Sequence, residues 1–261
     1  MTANARRIPR GLAPIVEDLE LNQPQIVSLS HLEELREQAH AGSSAQDIAK
    51  RLVEHGWLLP LRARGMYEFA PAARAGRYSA GDPFAELRAT IARRPDLPVA
   101  VAHESAAWLH SLSPRLPVRN VLALPPNVDV PRALSEFRIV RTHAANNPVE
   151  INKLPVWGIE TLLTMMADRP SSFRDWPNAR GWLRDAVDQI SPVLIEREAD
   201  HLSTAAVARL AYLMMHGGNK ELAGELIKRH GLPPGPVYFG ADRRNGVFDK
   251  RFNVIDSVLS V

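Results

Sequence analysis

The chain has 261 residues, 45% hydrophobic and 23% charged, with no cysteine and a formal charge of +3. That length suits one large or two ordinary domains, and the balance is that of a globular protein, not a disordered one. No apolar run approaches the roughly 18 residues of a membrane span, and no cysteine means no disulfide, thiolate metal site or cysteine nucleophile.

Met1–Arg10 is basic, but no apolar stretch of signal-peptide length follows it, so the expected compartment is the cytoplasm. Of the 32 cations 27 are arginine, a skew that a GC-rich genome produces by itself. The total charge therefore names no partner.

In chain order, Leu12, Ile15, Val16 and Leu19 recur on one helical face. Pro24 stops that helix, and Ile26-Val27 is a short extended piece. Ser30 and Glu33 have capping-box spacing for a second helix that carries Leu32, Leu35 and Ala39 inward and closes at Gly42. Ser44 and Asp47 repeat the spacing for a third helix with Ala45, Ile48, Leu52 and Val53 inward, ended by Gly56. The period then changes to 2: Trp57, Leu59 and Leu61 alternate on one strand, Tyr67 and Phe69 on the next, around an Arg62-Ala63-Arg64-Gly65 loop. Three helices and a hairpin with arginines at its tip is the order of a winged helix-turn-helix. The fold class predicted is α+β, with that domain over residues 1–80 and a larger mixed α/β domain with a helical end over 81–261.

In the second domain a helix is predicted over 84–94 and another over 104–111, with strands over 97–102, 119–124, 137–142 and 149–154. Helices dominate from Gly158. Ala179, Trp182, Leu183, Ala186, Val187 and Ile190 share one face, and Thr204–Met215 is apolar nearly all round, as in a buried helix. Gly217-Gly218 breaks it and Asn219 caps the next. Pro233–Pro236 leads to a short, loop-rich tail.

The third helix of such a domain enters the major groove. Ser43, Ser44, Gln46, Lys50 and Arg51 face outward there, Gln46 suited to adenine and Lys50 or Arg51 to guanine or phosphate. Arg62 and Arg64 on the wing, and Arg6, Arg7 and Arg10 in an N-terminal arm, complete the candidate DNA-binding set. Asp47 and Glu54 oppose DNA; Asp47 has its cap to serve.

The run Gly56-Trp57-Leu58 … Arg64-Gly65-Met66-Tyr67 … Ala70-Pro71 resembles the wing of the AbiE-type antitoxins. Ala102-His103-Glu104-Ser105-Ala106-Ala107-Trp108-Leu109-His110 is similar to that family's Ser-Ala helix start with a histidine one turn on, except that Ser111 stands where the family usually has glycine. Ala208-Arg209-Leu210-Ala211-Tyr212-Leu213 is similar to its Arg-Leu-x-Tyr-Leu helix. The resemblance implies an antitoxin of a type IV toxin–antitoxin operon, of the kind involved in abortive phage infection. Its winged helix would bind inverted repeats of double-stranded DNA in its own promoter as a repressor. Its C-terminal domain would counter a nucleotidyltransferase-like toxin.

The patterns that would suggest an enzyme are incomplete. His103 and His110 lie seven apart on a helix but lack a nearby third ligand, so no metal site is expected. Ser105 with His103 or His110 suggests a nucleophile and base, without a Gly-x-Ser-x-Gly elbow. Gly217-Gly218-Asn219-Lys220 lacks phosphate-loop spacing. No catalytic residue and no cofactor is expected. A small hydrolase or nucleotide-binding enzyme and an effector-sensing regulator remain alternatives. Arg243-Arg244 and Lys250-Arg251 form basic pairs without an assigned role.

Overall fold

The computed structural model describes residues 7–74, 81–240 and 245–260. Arg6, the Arg243-Arg244 pair and the residues just before the expected boundary at 80 lie outside them. The chain divides into two units, Met1–Leu97 with Val130–Ser135, and Pro98–Asp129 with Glu136–Val261. The architecture is mixed α+β.

In the first unit, α1 (Ala13–Asn22) buries Ile15, Val16 and Leu19, the face that the spacing predicts. β1 (Ile26–Ser28) runs straight into α2 (Leu29–Gln38). The cap of α2 is Ser28, not Ser30: its Oγ accepts from the His31 amide at 3.0 Å. Ser28 is held extended opposite Met66, so the helix starts at the next residue and Ser30 is already inside it. At the other end His40, not Gly42, takes the left-handed conformation, with φ 49°. α3 (Ala45–Glu54) starts where predicted, with Ser44 Oγ accepting from the Asp47 amide (3.1 Å) and donating to the Asp47 carboxylate (2.7 Å).

β2 (Leu58–Pro60) and β3 (Met66–Phe69) form the predicted hairpin, and β1 pairs with the other edge of β3, giving the order β1-β3-β2. Gly65 supplies the positive φ (74°) in its loop. Val27, Leu58 and Phe69 face the three helices. Ile26, Leu61, Ala63 and Met66 face the other way, against Ala89 of α4 (Ala85–Arg93) and Ala133. The alternation Trp57-Leu59-Leu61 marks the strand but not its buried face. Trp57 and Leu58 are both buried and Leu59 is 43% exposed. A sheet covered on both sides accepts apolar residues at successive positions, so alternation does not pick out its core face.

The second unit begins with β4 (Ala100–Val101), α5 (His103–Leu109), β5 (Val121–Leu124), β6 (Arg138–Arg141), β7 (Val149–Ile151) and β8 (Leu154–Val156). These strands make a five-stranded mixed sheet in the order β6-β5-β4-β8-β7. β5 and β6, and likewise β4 and β8, run parallel. The stretch 149–154, expected as one strand, is a hairpin. Asn152 and Lys153 both adopt positive φ (52° and 59°), as a two-residue turn with the twist of its strands requires.

Among the described residues five α-helices follow: α6 (Ile159–Asp168), α7 (Trp176–Val187), α8 (Pro192–Ala199), α9 (Thr204–His216) and α10 (Lys220–His230). α7 buries Ala179, Trp182, Leu183, Ala186 and Val187, and α9 is buried almost all round. Asn219 caps α10, accepting from the Leu222 amide at 3.0 Å. The expected loop-rich tail instead contains a second sheet. β9 (Val237–Phe239), β10 (Val247–Asp249) and β11 (Val254–Asp256) lie in the order β10-β11-β9, with β9 parallel to β11. Three-residue strands are too short to display a period, yet Phe239, Phe252 and Val254 are buried in the helical core. Among the described residues no helix is long and apolar enough to cross a membrane.

Candidate nucleic-acid interface

The amphipathicity of α3 sorts its side chains into two groups. Ala45, Ile48, Ala49 and Leu52 are buried, which leaves Gln46 and Lys50 exposed one turn apart, with Ser43 half-buried just before the cap. Ser44 is also exposed, but both functions of its hydroxyl are committed to Asp47. Glu54 is exposed one turn beyond Lys50. The α3 stripe is therefore short, with its cationic part limited to Lys50.

Arg51 points elsewhere. Its Nη2 donates to the carbonyl of Arg10 at 2.6 Å, and Trp57 Nε1 donates to the carbonyl of Arg7 at 3.0 Å. These two bonds tie the backbone of the arm to the end of α3 and the start of the hairpin. The side chains of Arg7 and Arg10 are exposed. The arm is thus positioned by its carbonyls, which leaves its guanidinium groups outward.

The hairpin loop is tied down in the same manner. The Glu86 carboxylate of α4 accepts from the backbone amides of Arg62 (2.7 Å) and Ala63 (3.4 Å). Arg93, also on α4, donates from Nη1 to the carbonyl of Arg64 at 3.1 Å. Arg62 Nη1 donates to Ser135 Oγ at 2.9 Å. Arg62 and Arg64 keep exposed side chains on a loop whose backbone is fixed. Sequence reasoning found these two arginines and missed Glu86, Arg93 and Ser135. The carboxylate and Arg93 sit one helix downstream, and no local pattern announces that residues 130–135 return to the first unit.

In the second unit the residues that suggested catalysis are placed apart. Ser105 Oγ accepts from the Val121 amide (2.9 Å) and donates to Asn120 Oδ1 (3.3 Å), so it has no histidine partner. His110 Nε2 donates to the carbonyl of Trp157 at 2.7 Å. His103 is buried edge-on to Trp157, with Nε2 at 3.1 Å from Ser172 Oγ and no partner for Nδ1. Burial, aided by the charge of Arg138, lowers its pKa to about 3, so the ring is neutral and a poor proton acceptor. Glu104 is buried beside it, paired with Arg138 and accepting from the Arg174 amide. Among the described residues no three side chains of metal-binding type converge on one point. Gly217 lies against Val187 of α7, so it serves close packing of the helix end.

The third family-like segment has structural roles. Arg209 donates from Nε to the Ala167 carbonyl (2.6 Å) and from Nη2 to that of Asp168 (2.9 Å), a cationic cap on the C-terminus of α6. Tyr212 donates its hydroxyl to the buried Asp256 at 2.9 Å. Arg251 pairs with Asp249 at 2.6 Å, and Lys250 is exposed beside it.

Residues 99–216 match the family model described as the AbiEi antitoxin C-terminal domain. No curated protein matches the chain. Among solved structures it is similar to the crystal structure of the RV2827C protein from Mycobacterium tuberculosis. The two share 27% identity with a TM-score of 0.84, over 99% of this chain and 95% of that one.

Proposed function

We propose that the chain is the antitoxin of a type IV toxin–antitoxin operon and represses that operon, a reading supported by the match of residues 99–216 to the AbiEi antitoxin C-terminal domain. Residues 1–80 serve as a winged helix-turn-helix, with α4 and residues 130–135 packed in the same unit instead of in the C-terminal domain expected from residue 81, and the second unit serves as the antitoxin domain, opposing a nucleotidyltransferase-like toxin. Gln46 and Lys50 of α3 read the major groove of inverted repeats in the protein's own promoter, with Ser43 beside them. Arg62 and Arg64 hold the backbone alongside, and the arm with Arg7 and Arg10 follows an adjacent stretch.

The observation that carries the DNA-binding half is the element order α1-β1-α2-α3-β2-β3 with sheet order β1-β3-β2, and arginines on the anchored hairpin loop. In that arrangement the amphipathic third helix and the hairpin tip are the parts that meet a duplex. The second unit serves as a binding module rather than a catalyst, a reading supported by the neutral His103 and by a Ser105 hydroxyl engaged by Asn120 and the Val121 amide.

The test is a gel-shift series with the DNA upstream of the gene. Arg62→Ala with Arg64→Ala should weaken binding to all sequences and reduce the salt slope by about 2, whereas Gln46→Ala should cost about 1–3 kcal/mol at one base position. Failure to bind that DNA even at low salt would overturn the repressor reading. Co-expression of the full chain with the product of the adjoining toxin gene tests the other half: growth must be restored, and must still be restored by the Arg62/Arg64 variant if antitoxicity is separate from repression.

A further inference from the structure

Four exposed arginines belong to one junction in the first unit. Arg62 and Arg64 come from the hairpin loop, and Arg93 comes from α4. Arg132 opens a single-turn helix, Arg132–Leu134, which the chain brings back from far downstream. The junction is built, not incidental. Ala63 of the loop, Ala89 of α4 and Ala133 share one apolar cluster with Met66, and small residues let the three backbones approach closely. Arg93 is hydrogen-bonded to the Arg64 carbonyl and Arg62 to Ser135, just past Arg132.

Glu86 turns its carboxylate onto the Arg62 and Ala63 amides. Arg88, two residues further along α4, is paired with Asp82 at 2.6 Å. Arg64, Arg93 and Arg132 thus stand exposed on the three elements that meet here. Arginine suits phosphate because its planar fork meets two oxygens, and a guanidinium already held at one edge has less freedom to lose on binding.

We propose that Arg93 and Arg132 contact the phosphate backbone of the same duplex that the wing grips. The DNA-binding surface of this protein then extends from the hairpin loop across α4 to residues 130–135. The proposal rests on the DNA-binding reading above and assigns two contacts that a winged helix of three helices and a hairpin does not contain.

The experiment measures the affinity of the full chain for its upstream DNA and for an unrelated duplex as salt is raised from about 50 to 200 mM. Each phosphate contact contributes about 0.9 to the slope of log affinity against log salt. Arg93→Ala with Arg132→Ala should therefore lower the slope by about 1.8 on both duplexes, so that across the fourfold salt range the unaltered protein loses about 12-fold more affinity than the variant. Because Arg93→Ala also removes the bond to the Arg64 carbonyl, the charge-keeping pair Arg93→Lys with Arg132→Lys is measured beside it. Restoration of the slope by lysine, with thermal unfolding unchanged, assigns the effect to charge. A slope unchanged in the alanine pair, or lost equally in the lysine pair, overturns the extended surface while the wing reading stands. No binding by the unaltered protein overturns both.

Discussion

Tyr212→Phe removes one oxygen from the middle of the second unit and tests how the C-terminal residues are held. The Tyr212 hydroxyl lies 2.9 Å from Asp256 Oδ2 and 2.9 Å from Ser260 Oγ, with the tyrosine 2% exposed. Asp256 is fully buried and also accepts from the amides of Val258 (2.8 Å), Leu259 (2.9 Å) and Ser260 (2.6 Å). Burial alone would raise its pKa; the Leu259, Ser260 and Val258 hydrogen bonds and the Tyr212 hydroxyl outweigh it and hold the carboxyl below its usual range. Burial pushes the Tyr212 phenol up, so it stays protonated and donates.

A hydrogen bond to a charged acceptor contributes about 1.5–3 kcal/mol, and because the carboxylate retains three other donors the expected loss is about 2 kcal/mol. In a domain of this size that is a fall in Tm of about 4–8 °C. Urea unfolding followed by tryptophan fluorescence is suitable, since Trp176 packs edge-on against Phe239 of the same core, with ring centroids 5.0 Å apart. The pH dependence has a definite sign. A carboxyl depressed in the folded state adds stability above its unfolded value, near pH 4, and loses it as pH falls through the folded value. The penalty of Tyr212→Phe should be full at neutral pH and shrink in acid below about pH 4. A neutral-pH penalty below about 0.5 kcal/mol, under the lower bound for such a bond, would refute the argument, as would a penalty that does not change with acid.

Three further outcomes are expected. Ser111 adopts φ 60° just past α5, so Ser111→Gly should stabilise the protein by about 0.5 kcal/mol, the left-handed cost relieved less the added chain entropy; calorimetry showing a loss would contradict this. A Cβ on Gly217 would lie 2.3 Å from Val187 Cγ2, so Gly217→Ala should destabilise by about 1–3 kcal/mol in urea titration, and neutrality would mean that α7 and α9 can part freely. Glu104→Gln leaves the partly buried Arg138 without its counter-charge and should destabilise by about 2–3 kcal/mol, whereas an unchanged midpoint would show the pair to be dispensable.

Much of the scaffold was legible in the residues. The Ser44–Asp47 cap, the inward face of α7 and the all-round burial of α9 follow from spacing alone, because helices of ten or more residues repeat their period often enough to be read. What failed did so where two local rules competed or where no local rule applies. Ser28 and Ser30 are both acceptable caps, and strand pairing at Ser28↔Met66 decides between them. The strand pair hidden in 149–154 had one signal, Asn152 in a turn position, which an apolar reading passed over. At the candidate interface the arginines of the loop were visible, but their supports were not. Glu86 is 24 residues from Arg62 and Ser135 is 73 away, and such pairings are set by tertiary packing alone.

The return of residues 130–135 to the first unit has a genetic consequence. Neither half of this protein is a continuous stretch of its gene. A fragment ending near residue 97 would lack Ala133 and Ser135, and one starting near 98 would carry them as an orphaned strip. Truncation would damage both units at once, and recombination could not exchange the two as simple cassettes. Repression and antitoxicity, if separable, will be separated by point substitutions rather than by cutting the chain.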